Sequence, residues 1–156
     1  LNYYESVRNA TTAQIKYAKN NPGKYPYYGD VWGFYDTHSP LTKNWMIKGL
    51  PAEGDIDDGT ISIDAAISAI AFEPQASIQC LRTLYKAFKY KGIYTSQGIV
   101  TSVNTPSGLV SPFFCDSFFP PINVLLIENY RSELIWNLSK SCSEYSKAFE
   151  KAGFKP

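Results

Sequence analysis

The chain has 156 residues, 44% of them hydrophobic and 19% charged, which excludes disordered, collagen-like and disulfide-scaffold proteins. Its 15 Lys and Arg against 14 Asp and Glu leave a net charge of +1, without the positive surplus that nucleic acid or an anionic membrane surface would select. We therefore expect one globular domain over residues 1–156 whose partners are neither nucleic acid nor membrane.

The first part of the chain predicts a helix followed by a long loop. Small and apolar residues recur at three- and four-residue steps over residues 2–20, and Asn20-Asn21-Pro22-Gly23 ends the run. Residues 22–59 are rich in Gly, Pro and aromatic residues without a sustained period. We expect an ordered aromatic loop layer there, with at most a short extended piece at residues 31–35.

The middle of the chain predicts two helices and a hairpin. The Ala and Ile content of residues 60–71 favours a buried helix, and Pro74 opens a second helix that Gly92 ends. Residues 94–108 alternate loosely and predict a short hairpin or extended loop. The inward stripe of the second helix is predicted to consist of Ile78, Leu81, Leu84, Tyr85 and Phe88.

The last part predicts two more helices. Pro120 and Pro121 mark the start of one that runs to Leu138, and residues 143–152 form the other, closed by Gly153. The fold class is therefore mainly α, with four or five helices, long aromatic loops and a short hairpin. Strands do not alternate with helices, which disfavours a doubly wound nucleotide-binding fold.

Neither a metal site nor a cofactor is expected. The three cysteines cannot all pair within one chain, and no short spacing joins them to each other or to His38, the single histidine. These cysteines are Cys80, Cys115 and Cys142.

Aromatic residues make up 15% of the chain, with 12 Tyr, 9 Phe and 3 Trp. Tyr and Trp combine a flat apolar face with a polar tip, which suits surfaces that stack on sugar rings. The alternative is an aromatic core, and composition alone favours it.

An acidic loop contains Asp55, Asp57 and Asp58 and has three interpretations. The carboxylates cap the helix expected to follow, or they form part of a calcium site, or they contact a sugar. Asp57 and Asp58 cannot themselves be the two acids of a glycosidase, because adjacent residues do not flank a sugar ring. If they contact a sugar, their replacement by Asn should leave stability nearly unchanged.

A polar run, Glu128-Asn129-Tyr130-Arg131, interrupts an apolar helix. It indicates a buried network between Glu128 or Glu133 and Arg131, or an open cleft.

Five strings, in order, resemble the C-terminal portion of the glucoamylase-like glycoside hydrolases, a group that includes endo-β-1,2-glucanases. They are NYYESVRNAT at residues 2–11, VWGF at 31–34, DDGTI at 57–61, IENYRS at 127–132 and FEKAGF at 149–154. The resemblance covers almost the whole chain.

This resemblance implies an (α/α)6 toroid with its sugar cleft at one end, of which four or five helices are only a part. The Trp32 and Asp57-Asp58-Gly59 loops resemble cleft lining, so the expected substrate-binding residues are Trp32, Tyr35, Asp57 and Asp58. The catalytic residues would lie upstream and stay unknown. The implied partners are a polysaccharide or oligosaccharide of β-glucan type, and either the missing N-terminal half or a second copy.

One departure divides the functional hypotheses. The family usually reads Ile-Asp-Gln-Gly-Pro where this chain has Phe118 to Ile122, which puts Phe119 in place of the Asp. The chain is therefore either the C-terminal part of a secreted or periplasmic glycoside hydrolase, inactive alone, or a degenerate glycan-binding or scaffold domain. Half a toroid would also expose an apolar face, formed by Ile63, Ile67 and Ile70 or by Leu125, Leu126 and Leu134.

Overall fold

The computed structural model describes residues 2–50, 57–96, 98–112 and 119–154. This part of the chain is mainly helical, as predicted. The helices are α1 (Tyr3–Asn20), α2 (Ile63–Ser68), α3 (Pro74–Phe88), α4 (Phe119–Ser132), α5 (Leu134–Ser141) and α6 (Ser143–Lys151). The strands are β1 (Thr37–His38), β2 (Trp45–Met46), β3 (Thr60–Ser62), β4 (Tyr94–Thr95), β5 (Gly98–Ile99), β6 (Ser102–Asn104) and β7 (Leu109–Val110).

The predicted first helix is confirmed as α1. The Asn2 side chain accepts a hydrogen bond from the backbone N–H of Glu5 and so caps its first turn. Ile15 and Ala18 are buried in the second half of the helix, whereas residues 2–10 are exposed.

The loop layer after α1 belongs to the core. Val31, Trp32 and Phe34 are buried there, and β1 and β2 form a small antiparallel hairpin further along. No strand forms over residues 31–35. Instead, the Gly33 carbonyl accepts a hydrogen bond from the backbone N–H of Ser62, which attaches the loop to the end of β3.

The predicted helix over residues 60–71 begins too early. Residues Thr60–Ser62 form β3, which pairs with β6 in an antiparallel sheet completed by β7. The side chain of Ser62 then accepts a hydrogen bond from the N–H of Ala65 and caps α2, and a 3-10 turn at Ala69–Ala71 follows. The β-branched Thr60 and Ile61 favour the strand, and the Ala-rich part favours the helix.

Helix α3 is confirmed, and Gly92, at φ 84°, follows its closing 3-10 turn. Its buried side is formed by Ser77, Cys80, Leu84 and Phe88, so the predicted stripe is wrong at Tyr85, which is 49% exposed. The expected hairpin region holds two hairpins, β4–β5 and β6–β7.

The helix predicted to reach Leu138 is broken. Glu133 adopts φ 55°, in the left-handed region, and separates α4 from α5. The final helix α6 is confirmed, with Gly153 at φ 81° after it. Neither α5 nor α6 contains a buried residue.

The first alternative for an exposed apolar face is wrong. Ile63, Ile67 and Ile70 are all buried. The second holds for Leu125 and Leu134, which are 48% and 44% exposed. Among the described residues, no helix combines the length and the hydropathy that crossing a membrane requires.

Candidate functional site

The centre of the acidic loop is Asp57, whose side chain is completely buried. One carboxylate oxygen, Oδ1, accepts hydrogen bonds from the Tyr28 hydroxyl at 2.6 Å and the Gly59 N–H at 3.3 Å. The other, Oδ2, accepts from the Tyr17 hydroxyl at 3.0 Å and lies 3.2 Å from the Lys24 ammonium. A buried carboxylate with this many donors joins α1, the aromatic loop and β3 into one unit.

Asp58 is oriented by Lys48, a lysine whose side chain is itself completely buried. The Lys48 ammonium lies 3.0 Å from Asp58 Oδ1 and 3.9 Å from Asp57 Oδ1, and it also donates to the Thr60 carbonyl. The backbone N–H and hydroxyl of Thr60 both donate to the Asp58 carboxylate. The Asp58 side chain remains 32% exposed, so one edge of this network reaches the surface.

Both carboxylates are held in the charged form. Burial raises the pKa of Asp57, but hydrogen bonds from Tyr28, Lys24 and Tyr17 outweigh it and bring the pKa below its ordinary value. Burial likewise raises the pKa of Asp58, and the Thr60 N–H and the Lys48 charge bring it below the ordinary value. The hydroxyl of Tyr17 and the carboxylate of Asp57 raise the pKa of Lys24 to about 12.

These contacts bear on two of the three interpretations of the loop, helix capping and calcium binding. A helix does not begin at residue 60, and the cap of α2 is Ser62, so the capping role predicted for Asp57 and Asp58 is wrong. In the described part of the chain, no group of three or more His, Cys, Asp or Glu side chains is placed to hold a metal ion. The two carboxylates face ammonium groups instead, and Asp55 lies outside the described residues.

The loop is fixed from the other side by β6. The Asn104 amide donates to the Asp58 carbonyl at 2.9 Å and to the Thr60 hydroxyl at 3.1 Å. Both the hydroxyl and the backbone N–H of Thr105 donate to the Gly59 carbonyl. The position of Asp58 is therefore set by the sheet.

Trp32 lies apart from this edge. Its side chain belongs to the core and is only 2% exposed, and the buried thiol of Cys80 donates to its carbonyl. Burial raises the pKa of that thiol to about 12, so it stays protonated. The remaining edge of Trp32 lines a groove of about 460 Å³ between α1 and α3, whose described lining includes neither Tyr35 nor Asp58.

Tyr35, unlike Trp32, is 47% exposed. It lies just before β1, in a loop that Lys48 links to Asp58. The backbone N–H of Lys48 donates to Asp36 Oδ1 at 2.7 Å, next to Tyr35. The β1–β2 hairpin between them carries Trp45, which is also 47% exposed and packs edge-on against His38. Lys48 thus links Asp36, which follows Tyr35 in the chain, to Asp58.

The polar run in α4 has an exposed part and a buried part. Arg131 and Glu128 form an ion pair at 2.9 Å, but on the surface, so the predicted buried network is wrong. Asn129 is the buried member, and its side-chain oxygen accepts the Trp136 N–H across the break before α5. Cys80 and Cys142 are free thiols, and Cys115 lies outside the described residues.

Lys48, Tyr17, Tyr28 and Asn104 were not predicted as parts of the network, and none lies in a motif. The two tyrosines belong to the Tyr-rich background, Asn104 lies 46 residues after Asp58, and Lys48, 10 residues before Asp58, is one of many lysines. The one available signal was the pair of adjacent acidic residues itself, which needs nearby cations if it is to be buried.

Comparison with known proteins identifies the family. The sequence profile of the Glycoamylase family, described as "Putative glucoamylase", matches residues 1–143. The chain belongs to this family. It is 30% identical over 152 residues to an exo β-1,2-glucooligosaccharide sophorohydrolase (non-reducing end) of Parabacteroides distasonis, covering 96% of this chain and 20% of that protein.

Solved structures of similar proteins contain a part with the same fold as this chain. An endo-β-1,2-glucanase from Chitinophaga pinensis, in complex with sophorotriose and glucose, superposes with a TM-score of 0.83 at 26% identity. A β-1,2-glucanase from Parabacteroides distasonis gives 0.82 at 28% identity. The alignments cover 97% and 96% of this chain but only 35% and 21% of those proteins, so the chain spans about a third of the first relative and about a fifth of the second.

Proposed function

We propose that the chain is one part of an (α/α)6 toroid of a glycoside hydrolase acting on β-1,2-glucan, and that it supplies substrate-binding residues rather than the acid and base. The three relatives described above support the substrate class, since each is named for an activity on β-1,2-linked glucan or its oligosaccharides. The carboxylates of this chain support the role of this part.

The observation that carries the proposal is the pairing of the two carboxylates of the acidic loop with the Lys24 and Lys48 ammonium groups, at 3.2 Å and 3.0 Å. A glycosidase acid must hold a proton near neutral pH, which requires a raised pKa. Asp57 and Asp58 have lowered pKa values because both face ammonium groups and hydrogen-bond donors. They are adjacent as well, so they do not provide two carboxylates on opposite sides of a glycosidic bond.

The proposed sugar contacts are Tyr35, Trp45 and Asp58. Two half-exposed aromatic rings offer flat apolar faces to a sugar, and a half-buried carboxylate accepts hydrogen bonds from sugar hydroxyls. Lys48 keeps Asp58 ionised and connects it to the loop that carries both rings. Trp32 and Asp57 support these contacts from the core.

The experiment is calorimetric titration of the chain with sophorotriose, with the β-1,4-linked trisaccharide as the control sugar. We expect weak binding of sophorotriose, reduced about 10-fold or more by Tyr35→Ala or Trp45→Ala, a change of about 1.4 kcal/mol. Tyr90→Ala is the matched control variant, since Tyr90 is 90% exposed on the turn after α3. Equal binding of both sugars, or equal loss in all three variants, contradicts the proposal.

A reducing-end assay on linear β-1,2-glucan completes the test. We expect no hydrolysis by the chain alone, and measurable turnover would mean that its own carboxylates suffice. A second candidate function, a non-catalytic scaffold, is favoured by Phe119 at the position where the family usually has Asp. No binding of any glucan in the titration would support that candidate.

A further inference from the structure

The two carboxylates of the acidic loop differ in the number of hydrogen-bond donors around them. An ionised carboxylate has about four acceptor positions, two on each oxygen. The Asp57 carboxylate has a donor for each position, namely the Tyr28 hydroxyl, the Gly59 N–H, the Tyr17 hydroxyl and the Lys24 ammonium. Asp57 is therefore fully occupied within the chain.

Asp58 keeps one acceptor position open. Its Oδ1 accepts from the Thr60 N–H at 2.9 Å and from the Lys48 ammonium at 3.0 Å, and its Oδ2 accepts from the Thr60 hydroxyl at 3.0 Å. Within the described part of the chain, no second donor reaches Oδ2. Because the Asp58 side chain is 32% exposed, a donor from outside the chain can occupy this position.

The surroundings of Asp58 favour its charged form. The Thr60 hydroxyl accepts from the Asn104 amide at 3.1 Å, so its own hydrogen is directed to Asp58. The Asn104 amide is oriented in turn, because its oxygen accepts from the Ser107 N–H at 3.0 Å. Asp58 thus faces three donors, one of which is a cation, and a carboxylate in this setting stays ionised.

The positive charge beside Asp58 is enclosed. The Lys48 side chain has no exposed surface, so an external group meets the Asp58 carboxylate and not the ammonium behind it. The other ammonium, that of Lys24, is paired with Asp57. Asp36 accepts from the Lys48 backbone N–H and adds a third carboxylate. Three carboxylates against two ammonium groups leave the network with one net negative charge.

We propose that Asp58 determines specificity by charge: it accepts a hydrogen bond from one hydroxyl group of an uncharged glucan and rejects sugar units that carry an anionic group. A sugar hydroxyl supplies the hydrogen that Oδ2 lacks, whereas a carboxylate or sulfate group has no hydrogen to donate. Two negative charges at hydrogen-bond distance also repel each other, more strongly where one is partly buried. The inference rests on the proposed function, in which Asp58 contacts the sugar.

Recruitment of an anionic sugar by Lys24 is the main competing interpretation. The Lys24 side chain is 32% exposed, so its ammonium is within reach of an external group. This interpretation predicts the opposite preference, tighter binding of an anionic sugar than of a neutral one.

The experiment compares two sugars that differ in charge. Sophorotriose oxidised at C6 to the uronic acid is anionic near neutral pH, and its uronamide has nearly the same shape without the charge. Calorimetric titration of the chain measures both affinities, with sophorotriose as the reference. We expect the chain to bind the uronamide about 10-fold more tightly than the acid at an ionic strength of about 10 mM.

Asp58→Asn should remove this preference. The amide keeps the shape of the side chain and loses its charge, so we expect the two affinities to agree within about 2-fold. Glu128→Gln is the matched control, because it neutralises a surface carboxylate on α4 and should leave the preference unchanged. Circular dichroism checks the fold of both variants.

A salt series repeats the test without a substitution, and it decides the matter if Asp58→Asn misfolds. At about 1 M salt the Debye length is about 3 Å, so the repulsion is largely screened. We expect the preference of the unmodified chain for the uronamide to fall to about 3-fold or less under these conditions.

Several results overturn the inference while the proposed function stands. They are equal affinity for the two derivatives, tighter binding of the acid, and a preference for the uronamide that Asp58→Asn or high salt leaves unchanged. Binding of sophorotriose but of neither derivative also overturns it, because a neutral substituent would then be rejected as strongly as a charged one. If the chain binds none of the three sugars, the proposed function fails and the inference fails with it.

Discussion

Asp57 and Asp58 are neighbours in sequence but differ in environment. The Asp57 carboxylate has no exposed surface and contacts α1 and the aromatic loop, whereas the Asp58 side chain is 32% exposed and contacts Lys48 and Thr60. The energetic consequences of neutralising them should differ accordingly.

Asp57→Asn should therefore be the more damaging change. Neutralising Asp57 leaves the Lys24 ammonium without its carboxylate and the buried Lys48 with Asp58 alone, and breaking a buried ion pair costs about 3–5 kcal/mol. Asp58→Asn should cost less, about 1–3 kcal/mol, because the Asp58 side chain is 32% exposed and the buried Lys48 keeps Asp57 within 3.9 Å. Urea denaturation measures both, with Glu128→Gln as a surface-pair control. Equal, small losses would favour the expectation from sequence that Asn is tolerated at both positions.

The acid stability of the chain should depend on the same residues. Their folded pKa values lie below the ordinary 3.8, so the unfolded chain takes up protons first as the pH falls. The contribution of these two carboxylates to the free energy of unfolding should be constant above about pH 6 and should fall as the pH drops through 3.8 toward the folded pKa values. Urea unfolding from pH 6 to pH 2.5 tests this, and the Asp57→Asn, Asp58→Asn double variant should show a shallower decline.

At the residue scale the sequence locates the acidic loop but not its partners. Adjacent aspartates stand out in any sequence, whereas Lys48 is one of many lysines and Tyr28 one of 12 tyrosines. The contacts of Lys48 depend on a β1–β2 hairpin that no periodicity in residues 22–59 predicts. Tyr35 and Asp58 stay predicted sugar contacts, while the burial of Trp32 favours a packing role.

At the scale of elements, the Trp32-Gly33 string has a steric reason. Gly33 adopts φ 146°, and a Cβ there would overlap the backbone oxygen of Ser62. The same two residues are joined by the hydrogen bond from Ser62 N to Gly33 O at 2.8 Å. Close approach of the loop to β3 thus requires glycine.

Gly33→Ala should consequently destabilise the chain by about 2–4 kcal/mol, through backbone strain and a displaced loop. Gly23→Ala is the matched control, because nothing lies within 4 Å of a Cβ at that position and its backbone is not in the left-handed region. It should change stability by less than about 1 kcal/mol. Thermal melting of both variants measures the difference, and a similar effect at both sites would refute the steric explanation.

Two element boundaries were predicted incorrectly for separate reasons. In residues 60–71, a strand of three residues is too short to show a period of two, and its pairing partner β6 lies some forty positions later. At Glu133, the chain turns through a left-handed conformation that Glu rarely adopts, and the apolar pattern continues across the break. The helical pattern depends only on residues close together in the sequence, and both errors arise from contacts that this pattern does not include.

At the scale of the whole molecule, burial is uneven. The core cluster consists of α1, the aromatic loop, α2, α3 and the β3–β6–β7 sheet. The last two helices contribute no buried residue to it. The sequence could predict this asymmetry only through the family resemblance, because the proposed toroid would bury, against its other helices, side chains that are exposed in this chain.

The uneven burial predicts uneven opening of the isolated chain. A helix whose side chains are buried exchanges its amide protons through global unfolding, whereas a helix without buried residues opens locally at lower free energy. We therefore expect amides in α3, which buries Cys80, Leu84 and Phe88, to exchange about 100-fold more slowly than those in α6. Hydrogen exchange followed by mass spectrometry measures this. Equal protection of α3 and α6 would show that the C-terminal helices are held by the core, so that they need no further covering.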